Sequence, residues 1–236
     1  VGTINIGYVS PITGADAGSV TGVAGGFTNI GNLNGGTGTD NFSLSGGTLS
    51  GALNGGTGNN SLTADNVTNT WTISGTDAGS VTGVSGGFTN IGTLIGGSST
   101  DNFSFIGTAV LSGPVDGGLG SDTLDFSGYA TPVSVSPTGT GSGKVSATPD
   151  PIAYAGVDDY TGMETVIATG ALIGPNQNNA WDITGLNQFA LNGTTYSWMT
   201  SILGGNLADT LTMEGAGRLT GGPAIDGGAG ENVLQS

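Results

Sequence analysis

The residues in this sequence that could do chemistry are carboxylates, and they are spaced by a rule. The pattern Gly-Gly-x-x-x-(Asp/Asn)-x-(Phe/Leu) begins at Gly35, Gly55, Gly96, Gly117 and Gly204, which puts Asp40, Asn60, Asp101, Asp122 and Asp209 at its sixth position. A further copy begins at Gly227, with Asn232 in that place. The neighbours Gly35/Gly55 and Gly96/Gly117 lie 20 and 21 residues apart. If that interval is one turn of a coiled chain, Asp101 stands over Asp122 and Asp40 over Asn60, about 5 Å apart. Two bare carboxylates at that distance repel, and a hard cation with oxygen ligands relieves the repulsion. On this reading Asp40, Asp101 and Asp122, with carbonyls of the same corners, bind calcium; no other cofactor is called for. The competing reading is a turn in which the Asp or Asn side chain bonds backbone and needs no ion. Asn60 favours it, because a neutral amide serves at an equivalent position.

The remaining inventory excludes a good deal. The chain has 236 residues, no His, no Cys, and only two cations, Lys144 and Arg218, against 17 acids. Zinc sites of the Cys/His type and Ser–His–Asp or Cys–His catalysis are ruled out. A net charge of −15 cannot neutralise a phosphate backbone or dock on an anionic membrane. No run of residues approaches the ~18 apolar positions of a membrane helix. An enzyme would have to work with carboxylates, as glycosidases do. Here the acids are spread over repeat positions and no pair stands out, so the expectation is a protein without catalysis. Asp158, Asp159 and Glu164 form a second acidic group, expected on a solvated loop. Trp71 and Trp181 are expected in the core, as are Tyr196 and Trp198, whose alternative use is a platform for sugar.

What positions these groups is a repeat. Residues 14–43 and 75–104 match at 24 of 30 positions with an offset of 61. A worn third copy starts at Trp181, where Trp-Asp-Ile-Thr-Gly answers Trp71-Thr-Ile-Ser-Gly75. A second marker, aromatic-x-x-(Ile/Met)-x-x-apolar, recurs at Phe27/Ile30/Leu33, Phe88/Ile91/Leu94, Tyr160/Met163/Val166 and Tyr196/Met199/Ile202. Glycine fills 49 positions and Ser, Thr and Asn are abundant, so helix is disfavoured throughout. Period-2 alternation after each corner, as in Phe42/Leu44 and Phe103/Phe105, gives short strands with one inward face. The expected fold is all-β: a parallel β-solenoid, right-handed, with about 20 residues per coil and the 61-residue offset spanning about three coils. Its expected organisation is one continuous domain, with coils over 1–128, an irregular insertion or hairpin protruding over 129–160, and further coils over 161–236. The chain opens at Val1 in mid-pattern, with no signal sequence, and reads as a segment of something longer.

Gly35-Gly-Thr-Gly-Thr-Asp-Asn-Phe-Ser43 and Gly117-Gly-Leu-Gly-Ser-Asp-Thr-Leu-Asp125 resemble the RTX nonapeptide, here dispersed at about one per coil. The long unit around them resembles the β-strand repeats of giant secreted bacterial surface proteins and adhesins. That resemblance implies a secreted, extracellular or cell-surface structural role and, through the nonapeptides, calcium. The expected function is a rigid rod in a filament or adhesin. Its expected partners are itself, head to tail, or neighbouring repeats, with a surface glycan or matrix ligand, no nucleic acid and no membrane insertion. The alternatives are a calcium-dependent RTX-like module and a polysaccharide-active β-helix enzyme.

Overall fold

A computed structural model describes residues 3–5, 10–20, 23–148, 151–153, 159–215, 217–220 and 224–235. Asp158, singled out above, lies outside the described residues, as do the terminal residues Val1 and Ser236. The described chain is all-β, in one 14-stranded and one 13-stranded sheet whose strands pair mostly in parallel. Apart from four sets of three consecutive strands that stay within one sheet, successive strands go alternately to the two sheets, so each sheet gains parallel neighbours from residues one turn apart. Phe42 lies beside Leu62, and Phe103 beside Leu124. Those offsets are the sequence period of the Gly-Gly corners.

Like positions therefore stack. In the first sheet Trp71, Phe103, Leu124, Val166 and Tyr196 form one inward column. In the second, Phe42, Leu62, Leu94, Val115 and Tyr160 form another. All of these are buried. The Trp71 and Phe103 rings stack at 5.3 Å with 16° between planes. Burying each such side chain contributes roughly 1.5–3 kcal/mol, and the columns run together into one core.

The period alone does not anticipate the antiparallel strands. After Ser61–Thr63 in the second sheet, the chain overshoots to Asn69–Gly75 in the first. It then folds back through Ala78–Val81 and Val84–Thr89, both antiparallel steps. The last of these docks in parallel on Leu53–Asn54, while Asp101–Phe105 docks on Asn69–Gly75. Equivalent triplets are Ser10–Gly14, Ala17–Val20, Val23–Phe27 and Ala180–Gly185, Gln188–Leu191, Thr194–Ser197. The repeated Asp-Ala-Gly-Ser-Val segment is thus the middle strand of a hairpin pair and not a coil strand. Its turns are held by residues that tolerate positive φ: Asp16 (50°), Asp77 (49°) and Asn187 (49°). Asn192-Gly193 closes the other turn of the third triplet, with both residues left-handed as a two-residue hairpin requires.

The segment expected to protrude does the same thing. Ser134–Gly139 and Ser142–Ser146 form a hairpin, joined by Tyr160–Thr161, that takes its places within the second sheet. Val133, Val135 and Val145 are buried there, which is why the hairpin stays in the sheet. Triplets alternate between the sheets, second, first, second, first, and so the two grow to almost equal strand number. Between the first and second triplets the chain makes single passes through Asn32–Asn34, Asn41–Leu44, Leu53–Asn54 and Ser61–Thr63. The 61-residue unit therefore comes back in the opposite sheet, instead of after a whole number of turns.

Removing one member of a stacked column tests whether the coils share a core. Phe103→Ala is expected to lower the unfolding free energy by about 3–5 kcal/mol, seen as a lower denaturant midpoint at unchanged m. A loss below about 1 kcal/mol would mean that the column contributes little.

Candidate functional site

The Asp and Asn of the corners point inward. Asp40, Asn60, Asp101, Asp122 and Asp209 are buried, together with Asn69 and Asn179, which lie outside the Gly-Gly pattern. Each corner interrupts the strand ladder and leaves a buried backbone N–H in need of an acceptor. The side chain of the next coil supplies it. Asp40 N–H donates to Asn60 Oδ1 at 2.9 Å. Asn69 N–H donates to Asp101 Oδ1 (3.1 Å), Asp101 N–H to Asp122 Oδ1 (2.8 Å), and Asp122 N–H to Glu164 Oε2 (2.7 Å). Further along, Asn179 N–H donates to Asp209 Oδ1 (2.8 Å) and Asp209 N–H to Asn232 Oδ1 (2.9 Å).

The amides add cross-links of their own. Asn69 Nδ2 donates to Asp101 Oδ1 at 2.6 Å and to the Asp65 and Val67 carbonyls. Asn179 repeats this with Asp209 Oδ1 and the Pro175 and Gln177 carbonyls. The first glycine of each pair explains the spacing to the acid. A Cβ on Gly35 would lie 2.6 Å from Asp40 Oδ2, and one on Gly117 would lie 2.8 Å from Asp122 Oδ2. The carboxylate occupies the space that any other side chain would need.

Of the three residues expected to bind calcium, the structure brings two together. Asp101 and Asp122 stand in adjacent coils of the first sheet, while Asp40 precedes a second-sheet strand and stacks on Asn60. The separation follows from the intervening triplet, which carries the repeat to the other sheet. Among the described residues, no three carboxylates converge as a cation site. The side-chain bonds cross between coils, so they differ from a turn closed on its own backbone. Asp209 does both: its Oδ2 also accepts the Gly205 N–H at 2.9 Å.

Asn69 and Asn179 were missed because Gly-Gly is absent five residues before them. The signal that finds them is Asx-x-aromatic: Asn69-Thr-Trp71 and Asn179-Ala-Trp181 answer Asp40-Asn-Phe42 and Asp101-Asn-Phe103. Of the second acidic group, Asp159 is buried, bonded to Lys144 Nζ at 3.1 Å and to the Val145 N–H at 2.9 Å. Glu164 is exposed at its corner, as expected of it. Tyr196 is in the core as expected, whereas Trp198 is 59% exposed.

The carboxyls carry an electrostatic strain that the amides do not. The Oδ2 atoms of Asp40, Asp101 and Asp122 are buried with no hydrogen-bond partner among the described residues. Burial pushes Asp122 up to about 6. The Asp101 N–H opposes the shift, and the charges of Asp101, Glu164 and Asp116 add to it. Burial also raises Asp101, against the two Asn69 hydrogen bonds, and raises Asp40. Asp16, in contrast, is lowered by its hydrogen bonds from the Ser50 hydroxyl and N–H.

No family model, no curated protein and no solved structure matches the chain.

The Asp122 shift has a definite sign. The folded chain holds that proton up to about pH 6, whereas the unfolded chain releases it near the ordinary 3.8. Between those values the unfolded state binds fewer protons, so the contribution to stability falls as pH rises and is flat above. Melting is therefore expected at a higher temperature at pH 5 than at pH 7.5. Asp122→Asn, which keeps the acceptor, is expected to shrink that difference by raising the pH 7.5 value, the raised Asp40 and Asp101 carboxyls keeping the remainder. Asp122→Ala strands the Asp101 N–H and is expected to cost about 1–3 kcal/mol. Equal pH dependence in the wild-type and Asn proteins would refute the assignment.

Proposed function

We propose that this chain is a structural, non-enzymatic segment of a bacterial extracellular filament or cell-surface adhesin, a right-handed parallel β-solenoid acting as a rigid rod. The hand follows the strong preference of parallel crossover connections. The observation that carries the reading is how the reactive groups are used. Buried acids bond coil to coil at Asp101, Asp122 and Asp209, beside a core that runs through both sheets. Groups committed in this way give length and stiffness, and a structural role needs nothing more from them.

The outermost described strands support continuation of the rod. At one end Ala224–Asp226 and Val233–Gln235 are edge strands, and Thr3–Asn5 and Val23–Phe27 are edges at the other. Unpaired edges are templates for another strand. Leu234, in the column of Trp181 and Leu211, is 65% exposed, and a hollow between Trp181, Ile202, Leu211 and Leu234 opens at that end. The next coil, from the same chain or a second copy, would cover it. Purified protein is expected to associate end to end as concentration rises, forming lengthening rods in negative stain. Leu234→Asp is expected to stop the lengthening while leaving the β-sheet circular dichroism intact. A wild-type chain that sediments as a monomer at high concentration would sink the head-to-tail reading.

A calcium-dependent RTX-like module is the second reading, favoured by the unpartnered Oδ2 atoms of Asp101 and Asp122 in adjacent coils. It predicts that calcium raises the melting temperature and that a chelator abolishes the sheet signal. In the structural reading neither additive matters, because the Asn60 amide accepts the Asp40 N–H in the same role without charge.

A further inference from the structure

The three repeated hairpin corners serve as controls for one another. In the first two, small or polar residues sit at the turn: Ala15-Asp16 and Thr76-Asp77, bridged to Thr48 and Val110 of the neighbouring coil. Asn29 and Asn90, two residues after the marker phenylalanines, take the left-handed conformation at φ 57° and 55°. The third corner replaces them all. Leu186-Asn187 forms the turn, Arg218 is the bridged partner, and Trp198 holds the left-handed position at φ 67°.

None of these changes is explained by packing. Asn tolerates positive φ, whereas a bulky residue there is an outlier. The Trp198 side chain does not offset that strain by burial, and Leu186 is 54% exposed beside it. The Asp16 carboxylate bonds the Ser50 N–H and hydroxyl, and Asp77 does the same with Ser112. Asn187 keeps the tie, accepting from Thr220 N–H and donating to Thr220 O, but it removes the negative charge. A local rule broken without structural gain points to function.

The altered residues are neighbours. Trp198 N–H donates to the Asn187 carbonyl at 3.1 Å, and Asn187 N–H to the Arg218 carbonyl at 2.9 Å. In the first two corners it is the following residue, Ile30 or Ile91, that makes the first of these bonds. Through these backbone bonds Trp198 and Arg218, both exposed, flank Leu186 and Asn187 at one corner. Of the two cations, Lys144 is tied to Asp159. Arg218 is exposed and makes no ion pair among the described residues.

We infer that this corner binds a carboxylate-bearing carbohydrate. The inference rests on the surface-adhesin reading and supplies its ligand class. An indole face offers a flat apolar surface to the C–H face of a sugar ring. The guanidinium fork pairs with a carboxylate in bidentate geometry. Removal of the turn aspartate takes away the charge that would repel such a ligand from a chain carrying −15 overall. A neutral sugar would leave Arg218 without a role, and an acidic peptide would have no use for the exposed indole.

The test is titration of the full chain with oligogalacturonate, a matched neutral oligogalactoside and polyglutamate, followed by tryptophan fluorescence and calorimetry. Trp71 and Trp181 are buried, so quenching of the exposed emission reports Trp198. Oligogalacturonate is expected to bind. Trp198→Asn and Arg218→Thr, which restore residue types of the other corners, are each expected to weaken it on the order of tenfold or more. Leu119→Ser, at an exposed apolar residue elsewhere, is expected to leave it unchanged. Trp198→Asn is expected to melt at or above the wild-type temperature, which separates lost binding from lost folding. Equal affinity for the neutral sugar or for polyglutamate, no binding of oligogalacturonate, or undiminished binding by Trp198→Asn would overturn the inference. If oligogalacturonate fails to bind while rods still form, only the ligand assignment falls; if rods are absent while it binds, the filament reading falls and the site stands.

Discussion

The constraint on which the rest of this structure depends is the backbone N–H stranded at each corner. Along most strands the neighbouring strand satisfies the backbone groups; where the chain leaves one sheet for the other, the ladder stops inside the protein. A buried donor without an acceptor costs more than a typical hydrogen bond contributes. An Asp or Asn reaching back from the next coil is a short side chain with an acceptor in the right place. Once it is there, Gly35 and Gly117, five positions earlier, cannot take a side chain, because the Asp40 or Asp122 carboxylate fills the volume of the Cβ. The second glycine turns the corner: Gly56 has φ 79°, and a Cβ there would strike the Gly36 carbonyl of the adjacent coil. The aromatic two residues after the acid then faces inward by strand alternation. A nonapeptide-like motif can arise from this one hydrogen bond and the packing around it.

Carboxylate and amide are not equivalent in that role. An amide can accept with its oxygen and donate with its nitrogen, as Asn60 does from the Asp40 N–H and to the Asn90 carbonyl. At Asp40, Asp101 and Asp122 a carboxylate leaves its Oδ2 with no donor to meet it among the described residues. The run from Asn69 through Asp101 and Asp122 to Glu164 therefore concentrates negative charge where the Asp40–Asn60 pair does not. That is why the run is both the part of the ladder most responsive to protons and the place a cation would relieve most.

The folded-back triplets have a different consequence. Each adds strands to one sheet only, and a succession on the same side would tilt the stack; alternation keeps the two sheets in step. It also turns successive long repeats to opposite faces, so a surface residue at a given repeat position appears first on one side and then on the other. Divergence at one corner then creates a local feature, not a stripe. Leu186, Trp198 and Arg218 stand out for this reason against the quiet corners at Asp16 and Asp77.

By itself the sequence determined the strand class, the one-turn period and the inward columns, because these depend on spacing between neighbours in a repeat. Asp101 falls beside Asp122, and Asp40 beside Asn60, as their 21- and 20-residue offsets require. Hairpin turns were legible too, in Asn192-Gly193 and in the Asp of Gly75-Thr-Asp77, but a coil period hides an antiparallel detour of similar length. Tertiary structure alone decided which sheet each copy enters, and hence that Asp40 stands apart from Asp101 and Asp122. It also decided that Val133, Val135 and Val145 hold their hairpin inside the sheet. Tyr196 and Trp198, two residues apart, show the same division at the scale of a single turn. Alternation would bury both, but the left-handed φ at Trp198 reverses the direction of its side chain, and no spacing rule encodes that change.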